Sequence, residues 1–337
     1  MLCLFNKIVT IDKFAERMTK VVFLGPTGTY SHQAALQQFP EDEGVEHVPT
    51  LSIPECFNRL QKDNEIDYAV VPLENSTNGQ VVFTYDLLRD WMIEGEPSQD
   101  NRVDPAFEIV GEQYVAIEHC LISPKYLSPE DLATTDISRI YSHPQVWGQV
   151  ANYMQSLSSI CGNKLKKIDT SSTSNAVEMC MEDYKRDPST MSLSIASKTA
   201  AKLNNAHIVE HSINDFKGNT TRFLILKRRS TQCTTLDAAP STKDHRKVTL
   251  ITFTVKYDDP GSLVDVLMVL KQHGVNMCSI NSRPFNNGNE RKWQYIFFIE
   301  YYHEEGKLWD QVYSEIGLRC SKWCNWGTFY RNGRYYQ

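Results

Sequence analysis

Residues 230–247 carry one large aliphatic side chain, Leu236, among hydroxyl-bearing and charged residues. A stretch of that composition cannot bury itself, so it reads as a linker that cuts the 337-residue chain into two differently patterned regions. Before the linker, short β-rich runs alternate with amphipathic runs. Strands are expected at 20–24, 69–73, 114–122 and 222–226, and helices at 31–39, 82–92, 143–157, 174–184 and 194–203. That alternation argues for an α/β fold with mainly parallel strands. An irregular stretch at 94–105 reads as a crossover or surface loop and favours two lobes facing a cleft over one sheet. After the linker the order is strand 247–255, an Asp259-Pro260-Gly261 turn, helix 262–273, strands 275–282 and 292–301, helix 306–316 and strand 322–330. This βαββαβ order fits a ferredoxin-like module of about 80 residues. The expected division is an N-terminal extension 1–19, a two-lobed domain 20–229, a linker 230–246 and a second domain 247–332.

Composition removes several classes of function. With 35 basic against 41 acidic side chains and a net charge of -6, neither a nucleic-acid nor an anionic-membrane surface is expected. No run approaches the roughly 18 apolar residues of a membrane span. The nine cysteines are scattered, and the closest pair, Cys320 and Cys324, has no neighbouring histidine, so a zinc site is not expected. Free thiols in a reducing compartment fit better than a disulfide framework. The first seventeen residues mix a short apolar start with acidic groups, unlike a signal peptide or presequence, and Met18 is an alternative start. A cytoplasmic protein is expected.

Three places in the first domain share one design, a strand followed by a Gly- and hydroxyl-rich loop and a helix. They are Gly25-Pro26-Thr27-Gly28-Thr29-Tyr30-Ser31, Pro72-Leu73-Glu74-Asn75-Ser76-Thr77-Asn78-Gly79, and Thr170-Ser171-Ser172-Thr173-Ser174. Helix N-termini present unpaired N–H groups and partial positive charge, so they attract anions, and hydroxyls beside them suit carboxylates. Each taken singly reads as an ordinary cap or turn. Three of them at strand ends in one domain point to an anion site. The Gly25 loop lacks both the Gly-Lys-Ser/Thr of a Walker loop and the Gly-x-Gly-x-x-Gly of a dinucleotide site. A fourth element is Asn219-Thr220-Thr221-Arg222-Phe223. Its arginine either pairs with a ligand carboxylate or closes a surface ion pair with Asp215 or Glu210. His32 and His143, both at helix starts, read as capping or core residues. From the residues alone, the chain carries a cofactor-free anion site.

These stretches resemble prephenate dehydratase, of the monofunctional fungal type. The Gly25–Ser31 loop, Val71-Pro72-Leu73-Glu74-Asn75-Ser76 with Gly79, and Asn219–Phe223 match the family's motifs in order. Ser172-Thr173 before Ala176, and Ile195-Ala196-Ser197 before Ala200-Ala201, look like its intermediate motifs. The second domain resembles an ACT domain. The resemblance spans about residues 20–330. It implies a periplasmic-binding-protein-like pair of lobes with prephenate in the cleft, no cofactor or metal, a homodimer or homotetramer, and feedback by L-phenylalanine through the ACT domain.

Carried over by resemblance, Thr221 is the catalytic residue. Thr29, Tyr30, Ser31, Glu74, Asn75, Ser76, Gly79, Ser172, Thr173, Asn219, Arg222 and Phe223 bind substrate, Phe223 lining the apolar ring site. Gly261, Ser262, Leu263, Val264, Asn281, Ser282, Arg283 and Pro284 form the effector site between two chains. Asn281 stands where the family has a glutamate, and the helical chorismate mutase fused to bacterial members is not expected. Thr221 is too weak an acid to transfer its proton outright, so its hydroxyl reads as a preorganised donor to the departing oxygen. An arogenate dehydratase with the same machinery, or a non-catalytic sensor with the same cleft, are the competing readings.

Overall fold

The computed structural model describes residues 17–162, 164–189, 191–229, 246–256, 259–286 and 293–336. The expected extension 1–19 falls almost wholly outside these residues, and the expected linker does so apart from Arg246. The first lobe is built on β1 (Thr19–Leu24), β2 (Val45–Thr50), β3 (Tyr68–Asn75), the short β4 (Gly79–Gln80), β5 (Phe107–Ala116) and, far along the chain, β11 (Thr220–Arg228). Their order is β2-β1-β3-β11-β5, with β4 on β3. The helices α1 (Tyr30–Gln38), α2 (Ile53–Lys62) and α3 (Val82–Glu94) belong to this lobe. The second lobe holds β6 (Cys120–Ser123), β7 (Ile137–Ser142), β8 (Lys166–Asp169), β9 (Met191–Ala196) and β10 (His207–Glu210) in the order β10-β6-β9-β7-β8. Its helices are α4 (Pro144–Trp147), α5 (Ala151–Ile160), α6 (Thr173–Arg186) and α7 (Lys198–Leu203).

The expectation of mainly parallel strands is corrected. β11 runs antiparallel to both of its neighbours, and so does β6. Each lobe therefore has a mixed sheet, because the chain leaves the first lobe, builds the second and returns. The crossing also differs from expectation. The run 114–122 is two strands, broken at residues 117–119 where the chain changes lobes, and 211–219 brings it back. The two crossings are tied together: Ile117 N–H to Asn219 O (2.8 Å), Ile213 N–H to His119 O (2.9 Å), and Asn214 Nδ2 to Ile117 O (3.0 Å). The stretch 94–105 instead lies against the C-terminal domain, where Val103 N–H and Trp323 O (2.8 Å) and Trp323 Nε1 and Asp100 O (3.0 Å) are bonded.

That C-terminal domain consists of β12 (Lys247–Val255), α8 (Ser262–Gln272), β13 (Met277–Phe285), β14 (Gln294–His303), α9 (Trp309–Arg319) and β15 (Cys320–Tyr330). The strand order β13-β14-β12-β15, all antiparallel, is the ferredoxin-like arrangement expected. It does not hang on a tether. Val248, Leu250, Ile296, Phe298, Trp326 and Phe329 share one hydrophobic core with Leu73, Tyr85, Phe107, Ile109 and Leu224 of the first lobe. Phe107 stacks on Trp326 at 5.5 Å between ring centres, and Tyr85 meets Phe298 edge-on at 5.0 Å. Backbone meets backbone at Gly327, where an added Cβ would stand 2.3 Å from Ile109 O. The cysteines among the described residues are all free.

Candidate active site

The pairing of β3 with β11 sets Thr221 opposite Asn75 and Arg222 opposite Glu74. Asn75 Oδ1 accepts from Thr77 N–H (3.0 Å) and Asn78 N–H (2.9 Å), which fixes the orientation of its amide. Its Nδ2 therefore donates, to Asn219 Oδ1 at 2.7 Å and to Thr221 Oγ at 2.9 Å. Thr221 Oγ is thus an acceptor toward Asn75, and its own hydrogen stays available for a third party. Ser76 pins the same stretch through Thr220 N–H to Ser76 Oγ (2.9 Å) and Ser76 N–H to Thr220 O (2.8 Å). Gly79, at φ 77°, turns the chain back so that β4 can pair with β3.

From Asn219, itself buried, the hydrogen bonds continue into the second lobe. Asn219 Nδ2 donates to Gln149 Oε1 (3.1 Å), which also lies 3.0 Å from His119 Nε2. An amide oxygen accepts, so the His119 hydrogen is on Nε2, and Nδ1 is left to face Tyr30 Oη at 3.0 Å. Burial lowers the His119 pKa, keeping the ring neutral, and burial raises that of Tyr30. Tyr30, His119, Gln149, Asn219, Asn75 and Thr221 form one continuous chain across the lobes. His119 and Gln149 were not expected. No local pattern marks either one, since His119 lies inside a run that reads as strand and Gln149 inside a run that reads as helix.

The Gly25–Ser31 loop seats itself between the lobes. Ser174 Oγ donates to Thr27 O and Ser197 Oγ donates to Gly28 O (3.0 Å), so the starts of α6 and α7 hold the loop that precedes α1. Gly28, at φ 86°, has no room for a side chain: a Cβ would meet Ser174 Oγ at 2.5 Å. Two expected binding hydroxyls turn out to be caps. Thr29 Oγ accepts from His32 N–H and donates to Pro26 O, and Ser172 Oγ accepts from Asn175 N–H. What these loops offer an anion is the first-turn amides at Tyr30, Ser31, Thr173 and Ser174.

His143 caps α4 as expected. His32 is a core residue, stacked on Phe23, whose Nδ1 accepts the Gly28 N–H at 3.1 Å. Its ligand atom groups with those of Glu41 and His47 within 4.8 Å. The Gly28 bond nevertheless leaves the ring hydrogen on Nε2, so His32 serves the loop.

Arg222 requires a correction. It pairs with neither Asp215 nor Glu210, and its side chain is only 4% exposed. Its guanidinium is buried, with Nε to Glu112 Oε2 at 2.8 Å and Nη1 to Glu74 Oε1 (2.9 Å) and to Glu300 Oε1 (2.8 Å). Alternation along β11 is the reason: Arg222, Leu224 and Leu226 share one face, and Thr221, Phe223 and Ile225 the other. Phe223 is also corrected. It is 1% exposed and packs with Val21, Phe23, Val70 and Val115 in the core.

The expected effector residues divide into two groups. Gly261, at φ 91°, precedes α8, and a cavity of about 260 Å³ there is lined by Gly261, Ser262, Leu263, Val264, Phe285 and Phe297 among others. Asn281 and Arg283 instead turn to the first lobe. Asn281 Nδ2 donates to Tyr85 Oη (2.9 Å) and Arg283 Nε to Asp86 Oδ1 (2.8 Å), while Arg89 Nη1 donates to Pro284 O (2.9 Å). Ser282 is exposed. Within one chain the two stretches do not meet in one cavity.

A family model described as prephenate dehydratase matches residues 21–231. A protein named probable prephenate dehydratase from Saccharomyces cerevisiae is 52% identical over 335 residues, covering 96% of this chain and 99% of the relative. Among solved structures, one described as GqqA, a novel type of quorum quenching acylase, aligns with TM-score 0.70 and 25% identity over 94% of this chain and 99% of that one. A prephenate dehydratase in complex with L-Phe from Arthrobacter aurescens aligns with TM-score 0.69 and 22% identity, over 93% of this chain and 90% of that one. The last likeness bears on the fold alone.

Proposed function

The chain belongs to the prephenate dehydratase family, and from that premise we propose how its cleft converts prephenate to phenylpyruvate in phenylalanine biosynthesis. The enzyme is a lyase. The ring carboxylate leaves as carbon dioxide, the electron pair of the broken carbon–carbon bond enters the ring, and the ring hydroxyl departs and takes up a proton to become water. The pair that enters the ring leaves with the oxygen, so the electron count closes without an acceptor.

The observation that carries the residue assignment is the Asn75-to-Thr221 bond of 2.9 Å. Because Thr221 accepts there, its hydroxyl is oriented to donate toward the departing oxygen, where negative charge develops. Water supplies the proton itself. The pyruvyl carboxylate is held by the first-turn amides at Tyr30, Ser31, Thr173 and Ser174. Arg222 contributes by being elsewhere. A guanidinium on the ring carboxylate would stabilise the charge that the reaction must discharge, and so favour the ground state over the transition state.

The test is phenylpyruvate formation from prephenate by purified protein, corrected for the acid-catalysed background and compared with arogenate. Turnover of prephenate with little of arogenate is expected. No turnover of prephenate, or a clear preference for arogenate, overturns the reading.

Regulation and surroundings complete the proposal. Phenylalanine inhibits by entering the cavity before α8, where the backbone at Gly261 leaves room for a small zwitterion near a helix start. The working form is a homodimer or homotetramer. The site is assigned to a cytoplasmic enzyme on the free thiols; among the described residues no helix is long and apolar enough to cross a membrane.

A further inference from the structure

We propose that Glu300, a residue of the C-terminal domain, is a positioning residue for the dehydration, holding Arg222 and through it the β11 backbone that carries Thr221. The proposal rests on the dehydratase reading of Thr221. Four buried charges form a closed ring at the junction of the domains. Arg222 meets Glu112 (Nε to Oε2, 2.8 Å), Glu112 meets Arg331 (3.0 Å), Arg331 meets Glu300 (3.2 Å), and Glu300 returns to Arg222 (2.8 Å). Their side chains are at most 4% exposed, and Glu74, 36% exposed, meets Arg222 at the edge. The first lobe supplies Arg222 and Glu112, and the C-terminal domain supplies Glu300 and Arg331. Each half pairs one cation with one anion of its own, and docking gives every charge a second partner from the other half.

Two features connect the ring to catalysis. Arg222 directly follows Thr221, and the two side chains leave β11 on opposite faces, so the peptide between them is shared by the ring and the cleft. The ladder of β11 with β3 shifts register between Arg222 and Phe223, while that with β5 runs unbroken from Thr220 to Ile225, so backbone pairing holds this point firmly on one side only. The Arg222 side chain adds a tie on the side where the ladder is broken, through partners that water cannot replace in the buried junction. Burying charge without its partner is costly, which gives the ring one arrangement and makes the C-terminal domain part of the catalytic geometry.

The full-length protein is compared with Glu300→Gln, with the charge-balanced double variant Glu300→Gln/Arg331→Gln, and with Lys322→Met. Lys322 binds Ile93 O (2.8 Å) and Gly95 O (2.9 Å) across the same junction but lies outside the ring. Thermal unfolding and steady-state kinetics on prephenate are measured for each. Glu300→Gln is expected to lower kcat of the order of ten- to a hundredfold with KM within about twofold, as for a small misplacement of a reacting group. The double variant regains thermal stability without regaining kcat, and Lys322→Met keeps kcat within about twofold. A folded double variant with wild-type kcat overturns the proposal, as does an equal loss of kcat in Lys322→Met. A wild-type protein that makes no phenylpyruvate overturns the dehydratase reading itself, which separates the two failures.

Discussion

Replacing Thr221 with valine keeps the shape of a half-buried side chain and removes one hydroxyl. The structure separates its effect on folding from its effect on chemistry. Asn75 Nδ2 loses Thr221 Oγ at 2.9 Å but keeps Asn219 Oδ1 at 2.7 Å, so no buried donor is stranded. The cost to folding is therefore about 1 kcal/mol, the net worth of one hydrogen bond. The cost to chemistry is larger, because a preorganised donor aimed at a developing oxyanion contributes about 2.7–4 kcal/mol, or roughly a hundred- to a thousandfold in kcat. KM moves little, since the bond strengthens mainly in the transition state. Thr221→Ser retains the oxygen that Asn75 orients and stays within about tenfold of wild type, on the order of 1.4 kcal/mol. The assay is steady-state phenylpyruvate formation beside a thermal melt of each variant. A valine variant with normal kcat and raised KM would show that Thr221 holds the ground state only. A serine variant as slow as valine would show that the methyl group and not the hydroxyl is what matters.

Three further outcomes follow from the same geometry. Gly327→Ala places a Cβ 2.3 Å from Ile109 O at φ 140°, so urea titration is expected to register a loss of more than about 2 kcal/mol; an unchanged midpoint would mean that the strands part freely. Burial lowers the His32 pKa to about 4 from 6.5, so between those values the unfolded chain binds the extra proton and stability rises with pH. About 3 kcal/mol present above pH 6.5 should be lost as pH falls through about 4, and His32→Gln should flatten that slope in urea titrations at both ends. Asn281→Glu, which the family resemblance suggests should tighten phenylalanine inhibition, instead brings a carboxylate against Tyr85, close enough to Glu74 and Glu300 for both to act on that phenol. It is expected to lower the melting temperature by several degrees, on the scale of 1–2 kcal/mol, and not to lower the phenylalanine concentration for half inhibition.

Local patterns carried the parts of the fold that are locally determined. The C-terminal βαββαβ order was legible because each of its elements has its own period and turn. The run 53–62 was missed, although Ile53, Cys56, Phe57 and Leu60 line one buried helical face behind the Ser52 cap. β2, before it, holds His, Glu and Pro and has only Thr50 buried, so it has little strand alternation to read. β9 alternates Ser with apolar residues, yet Ser192 and Ser194 are both buried, which a polar-out reading cannot anticipate. The site divides in the same way. Asn75, Asn219 and Thr221 stood in motifs and the structure brings them together. The partners of Arg222 lie 148, 110 and 78 residues away in sequence as Glu74, Glu112 and Glu300, beyond any reading that looks for a carboxylate nearby.

The same distance explains why the linker misleads about the domains. A mixed sheet with one face toward α1 needs cover on its other face, or Phe107, Ile109, Leu224 and Leu226 would meet water. α2 and α3 cover part of that face, and β12, β14 and β15 cover the rest with Leu250, Phe298 and Trp326. At about 1.5–3 kcal/mol per large apolar side chain fully buried, this shared core outweighs the freedom that a polar connection would allow. Once the domains are joined in that way, Arg222 on the covered face is also the natural place for a charge to meet its partners from the other domain. The strand that carries the Thr221 hydroxyl on one side and a guanidinium on the other is therefore sensitive to how the second domain sits. A separate helix could have covered the same apolar face, but it would have brought no Glu300 or Arg331 to the ring.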